Sequence, residues 1–96
     1  MKPSDIVRLR RDEIRSVVAA HRAANPRLFG STMRGEDTEG SDLDLLIDPT
    51  PETTLLDVGA IQFALQSSLG IAVDVVTPGD LPPRFRDKVV NEAVSL

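Results

Sequence analysis

Ten residues separate Gly30-Ser31 from a pair of alternating aspartates, Asp42 and Asp44, and a third aspartate, Asp74, interrupts the apolar run IAVDVV. Those residue types in that order suit phosphate chemistry. A glycine lets the backbone approach a phosphate closely, while the Ser31 hydroxyl and the N–H groups of a following helix turn donate to its oxygens. Aspartates two apart on a strand leave the same face. So close, they raise each other's proton affinity unless a cation lies between them. Ligands that offer only oxygen suit Mg²⁺, which takes one or two carboxylates together with substrate phosphates. If the strand bearing Asp74 pairs with theirs, three carboxylates could hold two Mg²⁺ about 3.5–4 Å apart, the clamp used for in-line displacement at phosphorus. One of them could also accept the proton of an attacking hydroxyl.

Plainer readings stand beside these. Gly30-Ser31 could be a turn and nothing more, Asp42 a wetted strand entrance, and Asp74 the partner of a helix-borne arginine. Arg34 is placed to reach a triphosphate or to pair with Asp42, and Ser41 to join the nucleotide site or cap the turn before the strand. Glu36, Asp37 and Glu39 read as a solvated loop, His21 as structural, and Asp48 before Pro49 as turn chemistry.

The elements that must position these groups follow from periodicity and punctuation. A helix of about twenty residues is expected to start at a Ser4 cap, with Asp5 in its first turn, and to end at Asn25-Pro26. Arg27 to Phe29 is then a short strand entering Gly30-Ser31, which opens a short second helix. Leu43 to Ile47 is the second strand, closed by Asp48-Pro49, and Leu45, Leu46 and Ile47 in succession suggest cover on both faces. Thr54 and Asp57 have capping-box form and start a helix that ends at Gly70. Its expected buried face is Leu55, Leu56, Val58, Ile61, Leu65 and Leu69. Ile71 to Val76 is the third strand. Pro82-Pro83 start a last helix with Phe85, Val89, Val90, Ala93 and Val94 as its apolar residues. The expected fold class is α/β (α+β): one domain over 1–96, in two or three layers, with a small mixed sheet of about three strands flanked by helices.

At 96 residues the chain has room for one modest core. It contains no cysteine, so it has neither disulfides nor thiolate ligands. No apolar run approaches a membrane span, and charges scattered through the first eighteen residues do not fit a signal peptide. A cytoplasmic location is expected. Charge divides unevenly: residues 1–29 carry seven Lys/Arg against three acids, and residues 30–96 carry four against twelve. The acidic balance argues against direct nucleic-acid binding. The basic N-terminal segment could meet an acidic partner, or simply form a solvated helix face.

Taken together, GSTMRGEDTEGSDLDLLID, the later GIAVDVVTP strand and the final NEAV-containing helix resemble the DNA polymerase β-like nucleotidyltransferases. Within that superfamily they look like the minimal nucleotidyltransferase (MNT) antitoxins of HEPN–MNT toxin–antitoxin pairs. The resemblance covers nearly the whole chain. It implies a nucleotide held by Gly30 and Ser31, with Arg34 and Ser41 beside them, and Mg²⁺ held by catalytic Asp42, Asp44 and Asp74. It also implies transfer of AMP from ATP to a tyrosine of the HEPN ribonuclease. The chain contains no tyrosine, so such an acceptor must lie on another protein. Two alternatives are a non-catalytic antitoxin that neutralises by binding, and a small-molecule nucleotidyltransferase of the aminoglycoside-modifying kind. Short length argues against the second.

Overall fold

Proline at the first helical position leaves no N–H unsatisfied, and Pro3 opens α1 (Pro3–Ala20) in the computed structural model, which describes residues 1–96. Ser4, expected as the cap, is already inside the helix. The cap comes from far along the chain instead: Asp37 Oδ2 accepts the Ser4 N–H at 2.8 Å. Asp37 is therefore not part of a solvated loop but is buried, with 4% of its surface exposed. The apolar stripe of α1 is irregular because Arg10 leaves helical geometry (φ −118°, ψ 22°). Ile6 and Val7 are buried before the kink and Ile14 and Val18 after it, while Leu9 faces solvent.

The helix ends before Asn25-Pro26. Arg22 takes a left-handed conformation (φ 63°), and β1 (Ala23–Leu28) follows at once. Asn25 and Pro26 thus lie inside a strand. They occupy a bulge, marked by a register jump between Ala24 and Arg27 and by φ 54° at Asn25. A bulge is one of the few places where a strand accepts proline. Phe29 lies beyond β1, as the extended residue before α2 (Gly30–Arg34).

The next strand, β2 (Leu43–Pro49), runs two residues past Ile47. Asp48 and Pro49 are strand residues and not a turn. The Thr54–Asp57 capping box and the Gly70 stop (φ 72°) bound α3 (Leu55–Leu69) as expected. Ile61, Leu65 and Leu69 are buried, but Leu55 and Leu56 are exposed. Asp57 takes the inward position in that first turn, where Arg22 neutralises it at 2.6 Å. Then come β3 (Val73–Val76), a 3₁₀ turn at Pro78–Asp80 and α4 (Pro83–Glu92). The last helix buries none of its residues fully. It stops before Ala93, and Val94, read as helical, begins β4 (Val94–Ser95).

The sheet has four strands in the order β3-β2-β1-β4, one more than expected because the two-residue β4 joins its edge. β2 and β3 run parallel, and β1 is antiparallel to both β2 and β4. Both long helices pack on one face, where α1, α3 and the inward residues Leu43, Leu45, Ile47, Val73 and Val75 form a single core. The fold is a two-layer α/β arrangement. No helix is long and apolar enough to cross a membrane.

Candidate active site

Alternation along β2 sends Leu43, Leu45 and Ile47 into the core, so Asp44, Leu46 and Asp48 project from the opposite face. Asp42, one residue before the strand, lies close enough for its charge to act on Asp44. Asp74 stands directly across from Asp44 in the parallel β2/β3 pairing and shares that face. The third expected carboxylate thus lies beside the other two. The Gly30 bend lies there as well: a Cβ built on Gly30 would collide with Asp44 Oδ2. Gly30 also has φ 69°, a conformation that favours glycine. Two bonds join the bend to β2. The Phe29 N–H donates to the Asp44 carbonyl at 3.3 Å, and Thr32 Oγ1 donates to the Asp42 carbonyl at 3.4 Å.

No side chain of the protein bonds to or pairs with the carboxylates of Asp42, Asp44 or Asp74. The helix-borne arginine considered for Asp74 is absent. Burial, followed by the charges of Asp74 and Asp42, pushes the Asp44 carboxyl above its ordinary value, with Arg34 opposing. Asp44 therefore senses both neighbouring acids, and no cation bonds directly to any of the three.

Arg34 does not pair with Asp42. Its Nε donates to Glu36 Oε2 at 3.2 Å, and half of its side chain is exposed. Ser41 Oγ accepts the Thr38 N–H at 2.9 Å and so closes the Thr38–Ser41 turn. Ser31 is half-buried in the first turn of α2. Asp48, at the far end of the acid face, is neutralised by Arg27 at 2.5 Å and accepts from Asn25 at 3.0 Å. His21 lies at the end of α1 with its Nδ1 2.9 Å from the Val17 carbonyl, away from the acids.

Sequence reading missed Thr32, Asp37 and Arg27. Thr32 is buried against β2, and Asp37 anchors the loop between α2 and Asp42 to the start of α1. For Arg27 a signal existed. Extending the alternation of Asp42 and Asp44 by four residues puts Asp48 on the same face, where it needs a cation.

The donor set fits Mg²⁺ in kind: three unpaired carboxylates, one of them seated against Gly30 where any Cβ would collide with it. No three carboxylate or imidazole groups in the chain form a ready-made metal cage. Neither of the two hollows in the surface adjoins the acids, since both lie along the first half of α1. The site is an open face with one wall.

The sequence profile of the nucleotidyltransferase domain family matches residues 11–96. A solved structure described as a candidate minimal nucleotidyltransferase superposes with a TM-score of 0.87 at 43% identity, covering 97% of this chain and 95% of that one. The protein adenylyltransferase MntA of Thermococcus cleftensis is 32% identical, over 86% of this chain and 92% of its own length. A toxin–antitoxin complex crystallised with AMP-PNP shares the fold, with a TM-score of 0.73 at 20% identity, covering 88% of this chain and 69% of that one.

Proposed function

This chain belongs to the nucleotidyltransferase domain family, and we propose that it is a Mg²⁺-dependent protein adenylyltransferase. In that reading it is the antitoxin of a HEPN–MNT pair, and it transfers AMP from ATP to a tyrosine of the HEPN ribonuclease. The observation that carries the reading is the cluster of unpaired Asp42, Asp44 and Asp74 beside the Gly30 bend.

Each group then has a task. Gly30 lets the triphosphate lie against the backbone, and the Ser31 hydroxyl with the first N–H groups of α2 donates to its oxygens. Arg34 and Ser41 flank that position, and Arg34 can exchange its exposed bond with Glu36 for a phosphate. Asp42, Asp44 and Asp74 would hold the Mg²⁺, which supplies charge neutralisation at the phosphates. The open carboxylate-rich wall supports the reading too, because Mg²⁺ ordinarily completes its shell with substrate phosphates and not with a protein cage. A tyrosine oxygen attacks the α-phosphorus, the bond to the β-phosphate bridge breaks, pyrophosphate leaves, and the phenol's proton passes to the carboxylate face.

Residues 1–96 offer no tyrosine acceptor, which supports an acceptor brought to the acid face by a second surface. The relationship to MntA and the likeness to a toxin–antitoxin complex support a toxin as the second surface.

Incubation with ATP labelled at the α-phosphate, Mg²⁺ and the HEPN partner tests this directly. Label should appear on a partner tyrosine and vanish with Asp42→Ala or Asp44→Ala. If those variants label at the wild-type rate, the assigned roles are wrong. If label never appears yet the aspartate variants still silence the toxin, the protein neutralises by contact alone.

A further inference from the structure

The outer face of α3 is apolar, uncovered and unused by the proposed chemistry. Leu55 is 89% exposed, Leu56 85% and Phe63 72%, the three largest exposures among the bulky apolar residues. We infer that this face is a self-association surface, across which α3 of a second copy of this chain packs antiparallel about a two-fold axis near Gly59 and Ala60.

The spacing is self-complementary. Leu56, Gly59, Ala60 and Phe63 stand at i, i+3, i+4 and i+7, so they form one stripe along the helix. Leu56 and Phe63 are equidistant from the Gly59–Ala60 midpoint. In an antiparallel pair, Leu56 of one copy meets Phe63 of the other, and the reverse contact forms by symmetry. Two small residues at the centre let the helices approach closely enough for both contacts.

Gly59 supplies a separate argument. Glycine inside a helix costs stability relative to alanine. Nothing in the chain lies within 4 Å of where its Cβ would be, and its backbone is not in the left-handed region. No contact within the chain requires the missing side chain. A second helix resting against it would.

Charge points the same way. From Val58 to Val73 there is no charged residue, and Asp57 beside Leu56 is already paired with Arg22, so a second copy brings no unpaired ionic group of α3 that must be stripped of water. Leu55, Leu56 and Phe63 together expose on the order of 450 Å² per copy. That is roughly half of the ~800 Å² each partner contributes to a stable interface. The expected dimer is therefore reversible, with a dissociation constant in the micromolar range.

Sedimentation equilibrium of the full chain across the micromolar range, without nucleotide or partner, should show the apparent mass rising towards twice the monomer. Phe63→Glu and Leu56→Glu, both at exposed positions, should remain monomeric with unchanged circular dichroism. Gly59→Leu should weaken association at least tenfold. Because the chain has no cysteine, Ala60→Cys places a single thiol near the axis, and mild oxidation should give a covalent dimer. A wild-type protein that stays monomeric throughout overturns the inference, including the case in which only a different protein covers this face. So does a dimer indifferent to Phe63→Glu, or one in which Ala60→Cys fails to cross-link.

Discussion

β2 serves two opposite environments with alternate residues. Leu43, Leu45 and Ile47 lie wholly buried under α1 and α3, while Asp44 faces the other way, and neither it nor Asp42 has a cationic partner. The contrast shows how a domain this small can carry a site at all. Alternation lets one strand pack a core on one side and leave carboxylates free for chemistry on the other, so the candidate site rests on a segment whose inward residues are fully buried. At its far end the acid face behaves differently. Asp48 is neutralised by the buried Arg27, and Leu46, between Asp44 and Asp48, is fully buried. Charge on this face is compensated where it serves folding and left bare beside Gly30.

Truncating the inward side should have the largest effect on stability. Leu45→Ala is expected to lower unfolding free energy by about 2–5 kcal/mol, through lost burial and the cavity left between β2 and the helices. Denaturant titration checks it. A loss well under 1 kcal/mol would mean that the two faces are not packed as differently as described. On the outward side, Asp44→Asn should cost no stability in that titration while AMP transfer falls by about 10²- to 10³-fold. A variant that loses fold and transfer together would erase the division of labour.

How much of this could be seen in the residues varies with the physics involved. That the candidate residues lie together was legible because the signals are local: the Gly-Ser bend, the i, i+2 aspartates and an isolated acid among β-branched residues. The capping box and the Gly70 stop were legible for the same reason. Asn25-Pro26 misled because a proline that ends a helix also fits a bulge, and only the pairing of β1 with β2 decides between them. Val94 misled because its helical spacing was overridden by a free strand edge on β1. Leu55 and Leu56 are apolar yet exposed, so apolarity alone does not mark burial. The direction of a side chain depends on where the helix meets the sheet. Asp37 was invisible, since its partner at Ser4 lies 33 residues away.

That long-range bond gives the next prediction, of intermediate size. Asp37→Ala removes the only side-chain cap at the start of α1, and should cost about 1–2 kcal/mol, as other N-cap losses do. It should also loosen the loop leading to Asp42, so the KM for ATP should rise more than kcat falls. Asp37→Asn, which keeps an acceptor oxygen for the Ser4 N–H, should recover most of both. Equal damage from the two substitutions would show that the negative charge matters and the bond geometry does not.

The smallest effect contrasts two acids whose proton affinities move in opposite directions. Burial pushes Asp37 upward, but the hydrogen bonds of Ser4, its own backbone N–H and nearby Lys2 outweigh it, and the carboxyl is held below its ordinary value. Its contribution to stability is therefore present above the unfolded-state pKa and is lost as pH falls through the lower, folded-state value. Asp44 is held above its ordinary value, so its ionisation opposes folding. That penalty is full above the raised pKa, and it shrinks as pH falls towards the unfolded value near 3.8. In metal-free buffer, Asp44→Asn should consequently be more stable than wild type at neutral pH, with the advantage fading on acidification. Added Mg²⁺ and nucleotide should stabilise only the wild type and narrow the gap. Thermal melts of the two proteins from neutral to acid pH, with and without those ligands, read out both trends. A constant offset between them at every pH would mean that the acid face carries no electrostatic strain for a cation to relieve.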